Sequence, residues 1–287
     1  MSRAHVIDTV WGSVEVMYHP GTRPSVLFFP GGHCVASSDC GTGLYASLGH
    51  GVVSFSRPGY GRTSVGPLTT SSEFVPAVAE CCKLLGVDTL AAAVGVSFGG
   101  LQAIHAVIGL QALVPRLVLH SCAPATHAYP DTTSQRLAGS VAFSPAIQHL
   151  TWAAVARIVS TEQGLKAMVR SLSTLPLDQW WHLWNAEDKN EARLLFQSMD
   201  SGSGFLNDLR QATDALSTYR RYNQTQVPCP TLVTASRHDG GVAFTHAQDF
   251  AATIPQAQLF QSDAPSHLFW LGPSGAQMRG VIGTFLR

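Results

Sequence analysis

The chain of 287 residues carries 18 basic and 18 acidic side chains, so it has no net charge, and charged residues make up only 13% of it. This balance excludes a basic surface for nucleic acid or for an anionic membrane, and it favours a small-molecule substrate. With 45% hydrophobic residues, the chain suits one large α/β domain with an insertion, and its low charge is compatible with a homo-oligomer.

The N-terminal part of the chain predicts an antiparallel hairpin followed by a buried strand. Asp8 stands where a secretion signal would be apolar, so we predict a cytoplasmic protein. Residues 6–11 and 13–19 alternate apolar and polar side chains around Gly12, which is typical of a hairpin. Residues 25–29 are almost all apolar, as expected of a central strand that is covered on both faces.

Helices and strands then alternate, which predicts a mostly parallel sheet with helices on both faces. Thr70-x-x-Glu73 is a capping box that opens one of these helices, and Gly86 is a C-cap glycine at its end. The predicted elements are a helix at 38–48, a strand at 51–55, a helix to 85, a strand at 90–96, a helix to 110, a strand at 117–120, a strand at 230–235, a helix at 244–253, a strand at 258–261 and a helix at 275–286.

Residues 89–115 carry no charged side chain, a feature that this segment shares with membrane-spanning helices. Ser97, Gln102 and His105 interrupt the apolar run, and it contains two adjacent glycines. A central strand with its packed helix accounts for the pattern, and we predict no membrane association.

The segment from residue 130 to residue 222 shows helical patterns and no convincing strand. Its signals include a capping signature at Ser160-x-x-Gln163 and a break between helices at 201–204. We therefore predict an all-helical lid at 130–222, inserted into an α/β core that is formed by residues 1–129 and 223–287.

The apolar run at 90–96 ends in the Gly-x-Ser-x-Gly pattern of residues 95–99. Glycines on both sides of Ser97 let the strand and the helix approach closely, while a strained turn presents the hydroxyl at the edge of the sheet. A serine hydroxyl is a weak nucleophile at its free pKa, so it needs a base and a carboxylate that orients this base. Ser97 is the candidate nucleophile.

Candidates for both partners follow later strands, at the carboxyl edge where open parallel sheets place their sites. Asp239 follows the strand at 230–235, and His267 follows the strand at 258–261. The order Ser, Asp, His fits the hydrolase arrangement and neither of the two common serine-protease orders. Asp263, which is near the histidine in sequence, is the alternative carboxylate.

These residues resemble the α/β-hydrolase superfamily over nearly the whole chain. The similar segments are Phe29-Pro30-Gly31-Gly32, Arg57-Pro58-Gly59-Tyr60-Gly61-Arg62-Thr63, the Ser97 turn, the Asp239-x-x-Val242 turn and His267. Pro30 departs from the pattern, since many members have histidine there, and this change concerns the geometry of the loop more than the mechanism. Residues 204–209 also resemble a segment that returns from the lid to the core in some members.

The resemblance implies an α/β-hydrolase fold with assigned roles at the site. Ser97 would be the nucleophile, His267 the general base and then acid, and Asp239 the carboxylate that orients it. The main-chain N–H groups of Gly32 and Phe98 would form an oxyanion hole. Some members carry the acid after the sixth strand, but residues 120–124 of this chain include no carboxylate.

We therefore expect a cofactor-independent serine hydrolase that cleaves a small, mostly apolar carboxylic ester through an acyl-enzyme intermediate. The alternatives are a thioesterase, a lactonase, a carbon–carbon bond hydrolase, an aminopeptidase, a perhydrolase or a non-enzymatic ligand receptor with the same fold. A serine nucleophile argues against a haloalkane dehalogenase or an epoxide hydrolase, which need a carboxylate.

Further residues are candidates for contacts with the substrate. His33 lies beside the predicted oxyanion loop, and its alternative role is packing or solvent exposure. Trp180, Trp181 and Trp184 are candidates for the pocket wall, and their alternative place is the core of the lid. The six cysteines show neither a C-x-x-C pair nor zinc spacing, so we predict buried reduced thiols and no metal site.

Overall fold

A computed structural model describes residues 4–287, apart from the side chains at positions 133 and 135. Residues 1–3 lie outside the described residues. They are part of the N-terminal segment in which no secretion signal is predicted. The strands are β1 (His5–Thr9), β2 (Gly12–His19), β3 (Arg23–Phe29), β4 (His50–Phe55), β5 (Leu90–Val96), β6 (Leu117–His120), β7 (Thr231–Ala235) and β8 (Ala257–Gln261). The helices are α1 (Thr42–Ala46), α2 (Val75–Leu84), α3 (Gly99–Gly109), α4 (Thr133–Ala142), α5 (Gln148–Ile158), α6 (Glu162–Arg170), α7 (Ala186–Ser198), α8 (Gly204–Gln211), α9 (Ser217–Thr225), α10 (Phe244–Thr253) and α11 (Pro273–Phe285).

The strands form one sheet in the order β1-β2-β4-β3-β5-β6-β7-β8. β1 and β2 make the predicted hairpin, β2 pairs antiparallel with β4, and the remaining pairs are parallel. This confirms the predicted mostly parallel sheet with flanking helices. The chain leaves β3 toward one side of the sheet and later returns to its other side as β5. The carboxyl ends of β3 and β5 therefore border the crevice where such sheets bind ligands.

The sheet lies between two apolar layers, because successive residues of a strand face opposite sides. Leu27 and Phe29 of β3 pack into the cluster that contains residues of α2, α3 and α10. Val26 and Phe28 pack into the opposite cluster, which contains residues of α1, α6, α7 and α11. All residues of β5 are buried, which explains the continuous apolar run at 90–96.

Between β6 and β7 the described backbone forms α4 to α9 and no strand, as the helical patterns predict. Met168 of α6 and Leu195 of α7 line the same cavity as Val96 at the end of β5. These helices therefore lie over the carboxyl edge of the sheet. The division into core and lid stays a prediction, and its boundary at residue 222 falls inside α9.

The capping signals of α2 are present, but the helix begins later than predicted. The Thr70 N–H donates to the Glu73 carboxylate at 2.8 Å, and the Glu73 N–H donates to Thr70 Oγ1 at 3.3 Å. These reciprocal bonds stabilise a turn, and α2 itself begins at Val75. At the other end Gly86 has a φ of 67°, and the Val87 N–H donates to the Cys82 carbonyl, as in a Schellman motif.

The predicted cap of α6 is wrong by one residue. Thr161 Oγ1 accepts the Gly164 N–H at 3.0 Å, whereas Ser160 Oγ donates to the Arg157 carbonyl. The predicted break at 201–204 lies between α7 and the start of α8. Within residues 4–287, no helix combines the length and the apolar character that crossing a bilayer requires.

Candidate active site

Ser97 lies in the sharp turn between β5 and α3. Its φ is 51°, a left-handed conformation that a serine adopts only under constraint. The backbones approach closely at this turn, since a Cβ on Gly95 would lie 2.6 Å from the Cα of Gly100. Ser97 lines a cavity at the carboxyl edge of the sheet. The turn thus presents the hydroxyl in the manner of a nucleophile elbow.

His267 and Asp239 meet in the loops that follow β8 and β7. His267 Nδ1 lies 2.8 Å from Asp239 Oδ2, and the Asp239 side chain is 1% exposed. The other carboxylate oxygen accepts the N–H groups of Gly241 at 2.7 Å and Val242 at 2.9 Å. The absence of a side chain at Gly241 allows this approach, because a Cβ there would lie 3.1 Å from the His267 ring.

Asp263, the alternative carboxylate, has a different partner. It is exposed, and its Oδ2 accepts the side-chain amide of Gln277 at 2.6 Å. The arrangement therefore favours Asp239 as the carboxylate that orients His267.

The contact with Asp239 also determines where His267 carries its proton. Burial lowers the pKa of His267, but the charge of Asp239 and the hydrogen bond to it outweigh burial and raise the pKa above its ordinary value. With Nδ1–H donated to Asp239, the neutral ring keeps a lone pair on Nε2. Ser97 lines the same cavity as His267, although no hydrogen bond joins them within the described part of the chain. Such bonds often form only with substrate in place.

A short segment after α6 joins the two loops that carry Asp239 and His267. The carbonyl of Leu172 accepts the Gly240 N–H at 3.0 Å and the His267 N–H at 2.9 Å. Ser173 forms an isolated antiparallel bridge with Asp239. The sequence does not predict this contact, because nothing in the pattern near residue 172 indicates a partner so distant in the chain.

A buried ion pair lies behind the loop of residues 30–32. Two guanidinium nitrogens of Arg57 lie 2.5 Å and 2.8 Å from the carboxylate oxygens of Asp208, and the Tyr60 hydroxyl donates to the same carboxylate. The Arg57 and Asp208 side chains are 5% and 4% exposed. Arg57 also donates to the carbonyls of Pro30 at 2.9 Å and Gly31 at 3.1 Å. Burial lowers the pKa of Arg57, but Asp208 and Tyr60 outweigh it and keep the guanidinium charged.

This ion pair orients the N–H group that is predicted to bind an oxyanion. In a planar trans peptide the C=O and the N–H point in opposite directions. Because Arg57 binds the Gly31 carbonyl, the N–H of the same peptide, that of Gly32, points away from Arg57. Gly32 lines the cavity beside Ser97. Phe98 lines the same cavity, and neither the Gly32 nor the Phe98 N–H donates to another described residue. Both N–H groups are available to a ligand.

Asp208 is the residue of this network that the sequence analysis did not assign. Arg57 belongs to a recognised loop, and Asp208 lies in the segment that resembles a return from the lid. Only the three-dimensional structure shows that the two side chains form a pair.

The cavity beside Ser97 has a volume of about 280 Å³. Among the described residues no charged side chain lines it. Its apolar wall includes Trp152, Met168, Leu195, Phe196, Met199 and Trp270. The volume lies at the small end of ligand sites, and the wall suits an uncharged molecule.

Of the residues predicted to contact substrate, His33 lines this cavity and the three tryptophans do not. The rings of Trp180 and Trp184 are 5.0 Å apart, and those of Trp181 and Trp184 are 5.8 Å apart. All three are buried in the apolar cluster of α6 and α7. The structure corrects this prediction, because the rings pack against each other and leave the cavity wall to Trp152 and Trp270.

One group of described residues has ligand atoms close enough for a metal ion, namely His127, Asp131 and His246, within 4.8 Å of one another. Burial, above all, lowers the pKa of His246 to about 4, so the ring is neutral at neutral pH. His246 Nδ1 accepts the Ala125 N–H at 3.1 Å, which leaves the ring proton on Nε2, 3.0 Å from Asp131. A metal at Nε2 would move this proton to Nδ1, against the Ala125 N–H. The hydrogen bonds thus oppose a metal at this group.

Comparisons with known proteins agree with the fold of this chain. The family model described as alpha/beta hydrolase fold matches residues 24–273. The uncharacterized hydrolase YcgS of Bacillus subtilis is 29% identical over 271 residues, which cover 93% of this chain and 92% of the relative. An α/β-hydrolase fold protein from Nakamurella multipartita superposes with a TM-score of 0.74 and 20% identity over 99% of both chains. A thermophilic esterase from Thermogutta terrifontis superposes with a TM-score of 0.69 and 18% identity over 100% of this chain and 98% of the other.

Proposed function

The chain belongs to the α/β-hydrolase fold family, and from that premise we propose that it is a serine hydrolase that cleaves a small, mostly apolar carboxylic ester. One observation carries the proposal. Ser97 in its strained turn shares a cavity with His267, whose Nδ1–H is held by a buried carboxylate. This arrangement leaves Nε2 of His267 as the only ring atom that can accept a proton from substrate or nucleophile.

The proposed reaction has two steps. Ser97 Oγ attacks the ester carbonyl as His267 Nε2 takes the hydroxyl proton, and the N–H groups of Gly32 and Phe98 stabilise the oxyanion. The imidazolium of His267 then gives its proton to the leaving alcohol, and an acyl group remains on Ser97. Water, deprotonated by His267, attacks this acyl group and releases the acid, which returns Ser97 to its hydroxyl form.

The cavity supports the choice of substrate class. A volume of about 280 Å³ and an apolar wall without charged side chains suit short acyl and alcohol groups that carry no charge. The same wall argues against an aminopeptidase, because the α-ammonium group of its substrate would be desolvated without a counter-charge. The esterase activity in the name of the Thermogutta terrifontis protein accords with this choice.

Labelling with a fluorophosphonate tests the proposal, because this probe reacts only with an activated serine. We expect one adduct, found by peptide mass spectrometry on Ser97, and none in Ser97→Ala. The matched control is Ser121→Ala, since Ser121 is also buried and also has a positive φ, of 46°. We expect this control to be labelled. An adduct at another residue, or equal labelling in Ser97→Ala, would overturn the proposal.

A further inference from the structure

His33 follows Gly32 directly and has a main-chain conformation that needs support. Its φ is 65°, in the left-handed region that non-glycine residues rarely occupy away from constrained sites. The His33 carbonyl accepts the Asp200 N–H at 2.9 Å. The side chain of His33 lies in the wall of the cavity.

Three aromatic rings fix the orientation of the imidazole. The centroid of the His33 ring lies 4.2 Å from that of Phe205, 4.3 Å from that of Phe143 and 5.0 Å from that of Trp152. Packing on several sides leaves the imidazole little freedom to rotate. Any donor or acceptor on this ring therefore has a fixed direction.

A chain of hydrogen bonds determines which ring nitrogen of His33 carries the proton. Trp152 Nε1, which can only donate, lies 2.8 Å from Ser201 Oγ, and Ser201 Oγ lies 2.8 Å from His33 Nδ1. Ser201 is fully buried, and among the described residues His33 Nδ1 is the one acceptor that its hydroxyl proton reaches. A proton on Nδ1 would leave this hydroxyl proton buried without a partner, which is unfavourable. Nδ1 therefore accepts, and Nε2 carries the proton.

The Nε2–H group of His33 has no hydrogen-bond partner within the described residues. Nε2 does not belong to the fully buried unpaired atoms either, so it keeps some accessible surface. Burial, with a smaller effect from Arg57, lowers the pKa of His33 to about 3, so the ring stays neutral at neutral pH. Two other polar residues of the wall, Tyr129 and Ser171, donate their hydroxyl protons to the carbonyls of Gly241 and Met168. The His33 Nε2–H is thus an uncharged donor without a partner among the described residues, beside the predicted oxyanion site.

We propose that His33 determines specificity by donating a hydrogen bond from Nε2 to an uncharged acceptor oxygen of the substrate, on the carbon next to the scissile carbonyl. This rests on the proposed ester hydrolysis and narrows its substrate class to esters with an ether or keto oxygen at that place. A substrate with a methylene there would leave the Nε2–H desolvated and unpaired, which lowers its transition-state affinity.

A pair of esters with equal numbers of heavy atoms tests this, para-nitrophenyl methoxyacetate and para-nitrophenyl butanoate. The measured quantity is the ratio of their kcat/KM values, methoxyacetate over butanoate, on one enzyme preparation, so that the fraction of folded enzyme cancels. We expect His33→Phe to lower this ratio by about tenfold or more relative to the wild type, because the Nε2–H donor is lost, whereas the loss of the Nδ1 acceptor for Ser201 affects both esters equally. The intrinsic reactivity of each ester cancels in the same comparison.

His33→Gln is the matched control, since its side-chain amide restores a donor. We expect this variant to recover part of the ratio, which a purely structural role of His33 would not produce. An unchanged ratio in His33→Phe would overturn the proposal.

Failure of the proposed hydrolysis is distinguished by a measurement that needs no turnover. In Ser97→Ala, nitrogen NMR of the histidine side chains shows whether Nδ1 or Nε2 of His33 is protonated. We expect Nε2–H, with a resonance that shifts when the methoxyacetate ester is added and shifts less with the butanoate ester. A proton on Nδ1, or equal shifts with both esters, would overturn the role of His33 even if Ser97 is labelled.

Discussion

Substitutions at the Arg57–Asp208 ion pair should affect stability and activity differently. Asp208→Leu removes the carboxylate and leaves the Arg57 guanidinium, which is 5% exposed, without its counter-charge. Breaking a buried pair in this way costs about 3–5 kcal/mol. Arg57→Met together with Asp208→Leu removes both charges, and we expect the double variant to regain about 2 kcal/mol or more of that loss.

Activity does not return in the double variant on this account. Without Arg57 the carbonyls of Pro30 and Gly31 lose their donors, and the Gly32 N–H is no longer held toward the cavity. Loss of one oxyanion donor lowers kcat by about 10²–10³-fold. We therefore expect the double variant to lose at least about 10²-fold in kcat/KM.

Urea unfolding measures the free energy of unfolding, and hydrolysis of a short-chain ester measures kcat/KM for the folded fraction. A loss of less than about 1 kcal/mol in Asp208→Leu would contradict the first prediction, since a buried unpaired charge would cost more. Full activity in the double variant, together with its stability, would contradict the second prediction, because the orientation of the Gly31–Gly32 peptide would then not depend on Arg57.

Three further predictions follow from the same structure. Asp239→Asn should lower kcat by about 10⁴-fold and should move the acidic limb of the pH profile to lower pH, because His267 loses the carboxylate that raises its pKa; a limb at unchanged pH would contradict this. Burial lowers the pKa of His33 and His120 to about 3, so between pH 6.5 and 3 the unfolded chain binds more protons than the folded one. The free energy of unfolding should therefore decrease as the pH is lowered, by up to about 1.4 kcal/mol per pH unit for each residue. Urea midpoints that stay constant from pH 7 to 5 would contradict it. Trp180→Ala should cost about 3–5 kcal/mol of stability and leave the acyl-chain preference unchanged, and a panel of esters of graded chain length would reveal any change.

The parts of the fold that could be predicted from the sequence have local signals. The buried runs at 25–29 and 90–96 indicate central strands, because a strand covered on both faces is apolar throughout. Asp239 and His267 could be named because each follows a predicted strand of the parallel sheet, at the edge where sites form. Their catalytic roles remain predictions for the experiments above.

What could not be predicted depends on contacts between distant segments. The Leu172 carbonyl binds the N–H groups of Gly240 and His267, and no pattern near Leu172 reveals this. Three tryptophans at helical spacing suit either a pocket or a core, and only packing decides between them. Ser160 and Thr161 both suit an N-cap, and the structure uses the second.

The proposed mechanism requires that Ser97 carries the acyl group during turnover. Rapid quenching of the enzyme with excess para-nitrophenyl butanoate, followed by peptide mass spectrometry, tests it directly, because this activated ester favours accumulation of the acyl-enzyme. We expect a butanoyl group on Ser97 that disappears when the substrate is exhausted. Steady turnover of the ester with Ser97 unmodified at every quench time would contradict it.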